Sequence, residues 1–530
     1  MIKSVDNLIG GQKINLSKKY FAVHSQFYED FCVMVADASV MDISIALSNV
    51  KKGWNDCQSL GFTERARILE KAASILKFNE TDIDSIVKLI GMPKKYVEQQ
   101  IEQIPEIMSN FSKTIVKRYG LLNDNLGTDF IENNYFHKIE FRLPKKGFVY
   151  AITPGNDPRA TALVSTILVL LGIPGIIKPS KTDVIIPSKI IESIIQSGYP
   201  KNGLNVVFFD SNNSDSSYHN FKICDEAAVI WPFGDENTVD NLLRLERHTK
   251  FDIERFLKHK HIKDLKKEFT KFTTEIQNST HNSINQYLVT ETVDHFSSKL
   301  VLRHASGRCA GILDSDFDLN IATKLIIDSS MRWPIGCNSM KSVFVVESVF
   351  DEIAERLKKE FKLLDKNAAN PLNKNTEVGY VDRKTVSFLE KRLNELKVLN
   401  HIKILYGGRE INPFQLTPFL ISTNDFNSEL LINEIPGYIL CLTKVKSFYD
   451  AVAQINKLTD NNFKLAVSYF TNNKENMRLP INAHHIKIND LTTNIEGIVH
   501  EGNDYIMQLT RPHIIHINKK GLKEHPYREK

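Results

Sequence analysis

Between residues 40 and 115 apolar side chains recur at steps of three and four: Ile43, Ile45, Ala46 and Val50, then Ala66, Leu69, Ala72, Ile75 and Leu76, then Ile83, Ile86, Leu89 and Ile90. That spacing places one apolar stripe on each of several helices, so a largely helical opening is expected. At Ile139-Glu140-Phe141-Arg142-Leu143 the period drops to two, and Pro144 closes the run. A short strand is predicted there, with one face in need of a partner. From 148 onward short apolar runs alternate with helical segments: 148–152, 163–171, 175–177, 185–195 and 204–209. Strands separated by helices of this length predict a parallel sheet with crossover helices, the architecture of a dinucleotide-binding domain.

The stretch 244–295 breaks this rhythm. It is rich in Lys, His, Glu and Thr, with modest amphipathic spacing at Phe251, Ile253, Phe256 and Leu257 and then Ile262, Leu265 and Phe269, and reads as an inserted helical excursion. A second α/β region follows, with strands expected at 343–346, 438–442 and 465–470 and a helix at 350–364. No internal repeat or low-complexity tract interrupts it.

Composition narrows the class. A chain of 530 residues is too long for one hydrophobic core, so two or three domains are expected. Its 42% hydrophobic and 25% charged residues are those of a globular protein. The 68 basic and 63 acidic residues leave only +5, which does not imply a nucleic-acid partner. The basic excursion interleaves Lys and His with Asp and Glu, as a solvated helical face does. Cysteines at 32, 57, 224, 309, 337 and 441 form no C-x-x-C pair and no disulfide framework, so free thiols and a cytoplasmic location are expected. The N-terminus has no charged-then-apolar signal pattern, and the most apolar run, 160–177, is broken by Thr161, Ser165, Gly172, Pro174 and Gly175. A buried helix and strand explain it better than a membrane span.

Several stretches carry candidate chemistry, in this order: Ile9-Gly10-Gly11 with Trp54 and Glu64-Arg65-Ala66-Arg67-Ile68-Leu69; Ile152-Thr153-Pro154-Gly155-Asn156-Asp157-Pro158; Ile177-Lys178-Pro179-Ser180-Lys181; Phe233-Gly234-Asp235; Pro334-Ile335-Gly336-Cys337-Asn338; Asn433-Glu434-Ile435-Pro436-Gly437; and Lys464-Leu465-Ala466-Val467-Ser468-Tyr469-Phe470-Thr471. Taken alone, the second reads as a turn and Asp235 as a helix N-cap. Together, over roughly residues 8–490, they resemble the aldehyde dehydrogenase superfamily. The resemblance implies an α/β fold with a Rossmann-type cofactor domain, an α/β catalytic domain and a small oligomerisation arm. The implied divisions are 1–137 as the N-terminal helical part of the cofactor domain, 138–147 as an oligomerisation strand, 148–300 as the cofactor domain with the 244–295 insertion, 301–488 as the catalytic domain, and 489–530 as a C-terminal oligomerisation segment.

The resemblance also implies roles. Cys337 becomes the nucleophile; a thiolate both attacks a carbonyl carbon and leaves readily. Asn156 becomes the amide that donates to the oxyanion, although Gly155 and Asp157 stand where the family has aromatic residues. Lys178 and Ser180 belong to the K-P-S-E segment that meets the adenosine ribose. Lys181 replaces its acid, and two lysines would attract a 2′-phosphate, so NADP(H) is favoured over NAD(H). Gly234 falls at the turn expected to meet the pyrophosphate, and Glu434 at the loop expected to take the nicotinamide ribose.

One departure bears on the reaction. Aligning Ile312-Leu313-Asp314-Ser315-Asp316-Phe317-Asp318-Leu319 on the family's acidic segment puts His304-Ala305-Ser306-Gly307-Arg308 on its E-L-G-G-K motif. In hydrolytic members the missing glutamate activates water, so the chain looks most like the acylating branch. Its implied reaction is NAD(P)H-dependent reduction of an acyl-CoA or carrier-bound thioester to an aldehyde. The alternatives are NAD(P)-dependent oxidation of an aldehyde to an acid with His304 as base, and a non-catalytic scaffold on the same fold. A homodimer or homotetramer is expected, joined by an arm in which 136–143 meets His513-Ile514-Ile515-His516.

Overall fold

The helical periodicity of the N-terminal region is realised as α1 (Val40–Ser59), α2 (Phe62–Ile75), α3 (Glu80–Ile90) and α4 (Lys94–Tyr119). Capping boxes start two of them: Ser39 with Asp42 on α1 and Asn79 with Asp82 on α3. Gly91, at φ +80°, ends α3 in the left-handed region. In the computed structural model, residues 3–131, 136–210, 214–234, 299–302, 304, 307–332, 334–433, 435–458, 464–494, 499–500 and 503–518 are described. The 244–295 excursion and Glu434 lie outside the described residues.

The segment ahead of α1 is not helical. It forms β1 (Lys3–Val5), β2 (Asn7–Ile9), β3 (Gln12–Ile14), β4 (Tyr20–His24) and β5 (Cys32–Ala36). Strands this short carry too few residues to show a period, and tertiary pairing decides them. After α4 come β6 (Leu121–Leu122), β7 (Asn125–Ile131) and β8 (Phe136–Pro144).

The alternating region then builds β9 (Val149–Thr153), α5 (Ala160–Leu171), β10 (Gly175–Pro179), α6 (Ile186–Gln196), β11 (Leu204–Val206), α7 (Ser214–Glu226), β12 (Val229–Pro232) and β13 (Leu300–Val301). These strands run parallel in the order β13-β12-β9-β10-β11, and β2 and β3 extend the sheet antiparallel. From β9 the chain moves outward through β10 and β11, then returns to β12 on the other side of β9. This is a topological switch point, and the crevice beyond the strands' carboxyl ends there is where open α/β sheets bind ligands.

A second seven-stranded sheet, in the order β16-β19-β20-β15-β14-β21-β22, holds the other half. Its members are β14 (Cys309–Leu313), β15 (Met340–Val346), β16 (Ile402–Tyr406), β19 (Phe419–Thr423), β20 (Ile439–Val445), β21 (Lys464–Phe470) and β22 (Ala483–Ile488), with a small hairpin of β17 (Glu410–Asn412) and β18 (Gln415–Leu416) beside it. Helices α8 (Leu319–Met331), α9 (Glu347–Lys366), α10 (Arg383–Lys397), α11 (Glu429–Ile432) and α12 (Phe448–Leu458) accompany it. Every residue of β14, β15 and β21 is buried, as suits central parallel strands covered on both faces.

The chain closes with β23 (Val499–His500), β24 (Asn503–Asp504), α13 (Tyr505–Leu509) and β25 (Thr510–Asn518). Strand β25 pairs antiparallel with β8, from Thr510 opposite Pro144 to Asn518 opposite Phe136. This is the pairing expected between 136–143 and 513–516. The resulting sheet, β25-β8-β7-β6, stands apart from the other two. One apolar cluster packs the helical side of the first sheet and another fills the second half; Ile335 packs against both.

Candidate active site

Ile335 belongs to the loop that joins α8 to β15 and carries Cys337, so the loop sits at the junction of the two cores. Hydrogen bonds fix it at almost every residue. The Pro334 carbonyl accepts from Lys341 Nζ at 2.5 Å and from Gly437 N at 3.2 Å, while Lys341 Nζ also donates to Gly437 O at 2.8 Å. Lys341 is 4% exposed, a buried cation whose donors meet carbonyl oxygens. The Ile335 carbonyl accepts from Asn156 Nδ2 at 2.6 Å. Gly336 O accepts from Ser339 N at 3.0 Å, and Asn338 O from Thr492 Oγ1 at 2.8 Å.

Behind the nucleophile, Gly307 and Cys309 press on the loop. Cys309 Sγ lies 3.5 Å from the Cys337 carbonyl oxygen, and Leu465 N donates to Gly307 O at 2.6 Å. Next to Gly307, Arg308 takes a left-handed φ of +47°, strained for a residue with a β-carbon.

His304 meets the cysteine. Its Nε2 is 3.8 Å from Cys337 Sγ, and its Nδ1 is 3.0 Å from the Tyr505 hydroxyl. The imidazole stacks on Phe233 with ring centroids 4.1 Å apart, and Tyr505 leans on Trp231 at 4.4 Å. Burial pushes the His304 pKa down to about 3, against the opposing pull of Asp157, so the ring is neutral at neutral pH. When Nδ1–H donates to Tyr505, the Nε2 lone pair faces the sulfur and can take its proton.

Asn156 follows the end of β9. Beyond it, Asp157 and Arg159 form a forked pair: Nε to Oδ1 and Nη2 to Oδ2, both at 3.0 Å, with Arg159 N also on Oδ1 at 3.0 Å. Arg159 Nη1 donates to Gln103 Oε1 of α4 at 3.0 Å. Burial opposes ionisation of both groups, but each overcomes it for the other: the Asp157 carboxyl is held below the usual carboxylate range and the Arg159 guanidinium above its own. The same electrostatics couple Asp157 to His304 and Arg159 to Cys337.

The crevice at the switch point is a cleft of about 770 Å³. Asn156, Lys178, Ser180, Lys181 and Gly234 all line it, so the structure brings these predicted residues to one place. Burial lowers the Lys178 pKa to about 8, with Asp210 opposing. Its Nζ lies 5.0 Å above the Phe209 ring, and no acceptor among the described residues hydrogen-bonds it. Ser180 Oγ and Thr182 Oγ1 are 3.2 Å apart. A β-carbon on Gly155 would stand 1.8 Å from Thr182 Oγ1 and 2.7 Å from Ser180 Oγ, so glycine at 155 lets these two loops approach where they line the cleft. The Gly234 N–H is already given to His304 O at 3.1 Å. A cleft of this size at a switch point, with a partly desolvated ammonium and an exposed Lys181 at its rim, fits a phosphate-bearing dinucleotide. No group of three or more His, Cys, Asp or Glu among the described residues could hold a metal, and no described helix is long and apolar enough to cross a membrane.

Tyr505 and Lys341 escaped the sequence reading. Lys341 left one signal, a lysine at the head of the apolar run Val343-Phe344-Val345-Val346. Tyr505 left none, lying 201 residues from its partner His304.

Comparison with known proteins gives a consistent picture. The family described as the aldehyde dehydrogenase family matches residues 14–217 and 286–503. A curated relative from Oceanobacillus iheyensis, 1-pyrroline-5-carboxylate dehydrogenase, is 21% identical over 492 residues, covering 89% of this chain and 81% of the relative. The protein of the same name from Staphylococcus haemolyticus is 22% identical over 490 residues, covering 90% and 82%. Among solved structures, an E. coli NADP dependent enzyme superposes with a TM-score of 0.76 at 17% identity, covering 97% of this chain and 98% of that one. An NAD-dependent aldehyde dehydrogenase from Sinorhizobium meliloti gives 0.75 at 16%, covering 98% and 95%.

Proposed function

The chain belongs to the aldehyde dehydrogenase family, and from that premise we propose that it oxidises an aldehyde to a carboxylic acid with an NAD(P) cofactor, Cys337 carrying the substrate carbon. The observation that supports this most is Cys337 Sγ set 3.8 Å from His304 Nε2 on a loop that Asn156 also holds. The curated relatives are named as dehydrogenases, not as acylating reductases. Lys178, Ser180 and Lys181 would hold the dinucleotide, and the two lysines favour a 2′-phosphate, hence NADP. The bound cofactor supplies a hydride acceptor.

The chain's own residues account for the remaining steps. His304 Nε2 takes the thiol proton as the sulfur attacks the aldehyde carbon. Asn156 Nδ2, leaving Ile335 O, donates to the developing oxyanion. Once hydride has left, the acyl group remains on Cys337; His304 gives the thiol proton up to solvent and, neutral again, takes a proton from the water that attacks the acyl carbon, and the released Cys337 sulfur takes that proton back as the acid departs. The exposed Ile514 and Ile515 on β25 favour an oligomer joined through the β25-β8-β7-β6 sheet.

One observation favours a second reading, in which the acyl group passes between Cys337 and a thiol such as CoA, so that the enzyme interconverts an acyl thioester and an aldehyde. His304 stands where hydrolytic members carry a glutamate, and an imidazole with a pKa of about 3 is a weak base toward water. A thiol acceptor makes less demand on it. Mixing enzyme, aldehyde and NADP⁺ with and without CoA separates the two. Acid released at full rate without CoA supports hydrolysis, and turnover that stops after one acylation until CoA is added supports acyl transfer. If neither mixture forms reduced cofactor, the oxidoreductase reading falls.

A further inference from the structure

His304 is held by two different means. Phe233 stacks on the imidazole with centroids 4.1 Å apart, and Phe233 in turn stacks on Trp231 at 5.9 Å. Stacking fixes the plane of a ring but does not choose which nitrogen carries its proton. That choice belongs to the partner of Nδ1, the Tyr505 hydroxyl at 3.0 Å. Tyr505 is wholly buried and leans on Trp231 at 4.4 Å, so its hydroxyl stays on the imidazole only while α13 stays in place.

Helix α13 has five residues, too few to hold itself in water, and its seat is made by other segments. Asp504 caps it through Met507 N at 3.0 Å and ties its start to α4, accepting from the Tyr119 hydroxyl and pairing with Arg118 at 2.9 Å. Ile506 and Leu509 are buried in the first core. The far end is fixed to the arm: Leu509 O accepts from Lys145 N at 2.9 Å, and the next residue, Thr510, opens the β25–β8 pairing opposite Pro144.

We propose that Tyr505 is a positioning residue whose hydroxyl keeps the His304 proton on Nδ1, and that through it the seating of the C-terminal strand licenses Cys337 as a nucleophile. The inference rests on His304 acting as the base toward Cys337, as in the proposed aldehyde oxidation. With Nδ1–H donating to Tyr505, the Nε2 lone pair faces Cys337 Sγ at 3.8 Å. Without that acceptor the buried Nδ1–H is left unpaired, and the tautomer protonated on Nε2 takes over. A donor then faces the sulfur, and the thiol loses the base that takes its proton. The other ionisable groups that act on this pair, Asp157 on the imidazole and Arg159 on the thiol, belong to the loop after β9 and not to the arm.

The test uses the full chain and reads Cys337 directly, by its rate of alkylation with iodoacetamide against pH, beside reduced-cofactor formation from an aldehyde and NADP⁺. Tyr505→Phe keeps the ring against Trp231 and removes only the hydroxyl. It should slow alkylation at neutral pH about tenfold or more, move the midpoint of the alkylation profile to higher pH, and lower kcat by a similar factor with KM little changed. In a His304→Gln background the same substitution should change alkylation by less than about twofold, because the two side chains act as a unit. Asp504→Ala, at a residue with no bond to His304 or Cys337, loosens the seat, and Ile515→Pro breaks β25 in mid-strand. Both should slow alkylation in step with faster hydrogen exchange at 510–518. An unchanged alkylation profile in Tyr505→Phe overturns the proposal, as does an equal loss with and without His304. Faster exchange in the arm with normal alkylation overturns the link to the strand. A Tyr505→Phe effect on alkylation in an enzyme that forms no reduced cofactor keeps this inference and removes the oxidoreductase reading.

Discussion

The backbone of Gly307 lies so close to Cys337 that a β-carbon on Gly307 would stand 1.3 Å from the Cys337 carbonyl oxygen. Neither segment yields freely, because Leu465 N holds Gly307 O from behind and Asn156, Lys341 and Thr492 hold the cysteine loop in front. Gly307→Ala should therefore displace the nucleophile, with an overpacking cost of about 1–3 kcal/mol. The expected signature is a lowered Tm together with slower alkylation of Cys337 by iodoacetamide. Unchanged alkylation would show that the loop tolerates the displacement.

Removing the side chains that act on the reacting atoms should lower kcat. Asn156→Ala is expected to reduce it by about 10²–10³, and His304→Gln by about 10²–10⁴. Initial rates over a range of aldehyde concentrations check both. A rise in KM with kcat preserved would assign Asn156 to substrate binding.

The buried imidazole also has a consequence for stability. Folding holds His304 near a pKa of about 3, below the ordinary 6.5. Between these values the unfolded chain binds a proton that the folded chain refuses, so this contribution is present above 6.5 and is lost as pH falls through the window. One such proton gives a slope of up to about 1.4 kcal/mol per pH unit. Urea unfolding at neutral and mildly acid pH should show the wild type losing more stability than His304→Gln, and parallel losses would contradict the burial argument.

Lys178 predicts a pH-dependent cofactor affinity of the opposite sense. With its pKa lowered to about 8, the ammonium is lost as pH rises through that value. Affinity for NADP⁺ should fall about tenfold between pH 7 and 9, measured by fluorescence titration, and Lys178→Met should be weak and flat. Lys181→Glu should shift the preference toward NAD⁺. If affinity does not change with either substitution, the phosphate is held elsewhere.

Much of this architecture was legible because burial imposes period on a chain. The helices α1 to α4 and the succession β9-α5-β10-α6-β11 bury whole faces, so their apolar spacing announces them. The pairing of β8 with β25 was legible for another reason: the alternation at Ile139, Phe141 and Leu143 asks for a neighbouring strand, and the family resemblance, with its antiparallel arm, pointed to the run Ile514-Ile515 as that neighbour. The motif residues of the cleft were found by order and spacing. What stayed hidden depends on distance in the chain or on polar contacts without a period. Tyr505 orients His304 from far along the sequence, and Lys341 binds two carbonyls from just ahead of the apolar run 343–346 that announces its strand. The strands before α1 stayed hidden too, since segments of three to five residues are decided by the sheet they join.

The union of β8 with β25 sets the order in which the molecule can be assembled. Strand β7 is made just before β8 and can cover one of its edges at once. The other edge waits for residues 510–518, synthesised more than 360 positions later. Throughout that interval β8 offers an open row of N–H and C=O groups to any strand that passes, including the same strand of a neighbouring nascent copy. Its charges, Lys138, Glu140 and Arg142, are what a ribosome-bound intermediate would need to refuse such partners, and replacing them with apolar residues would turn a slow closure into aggregation.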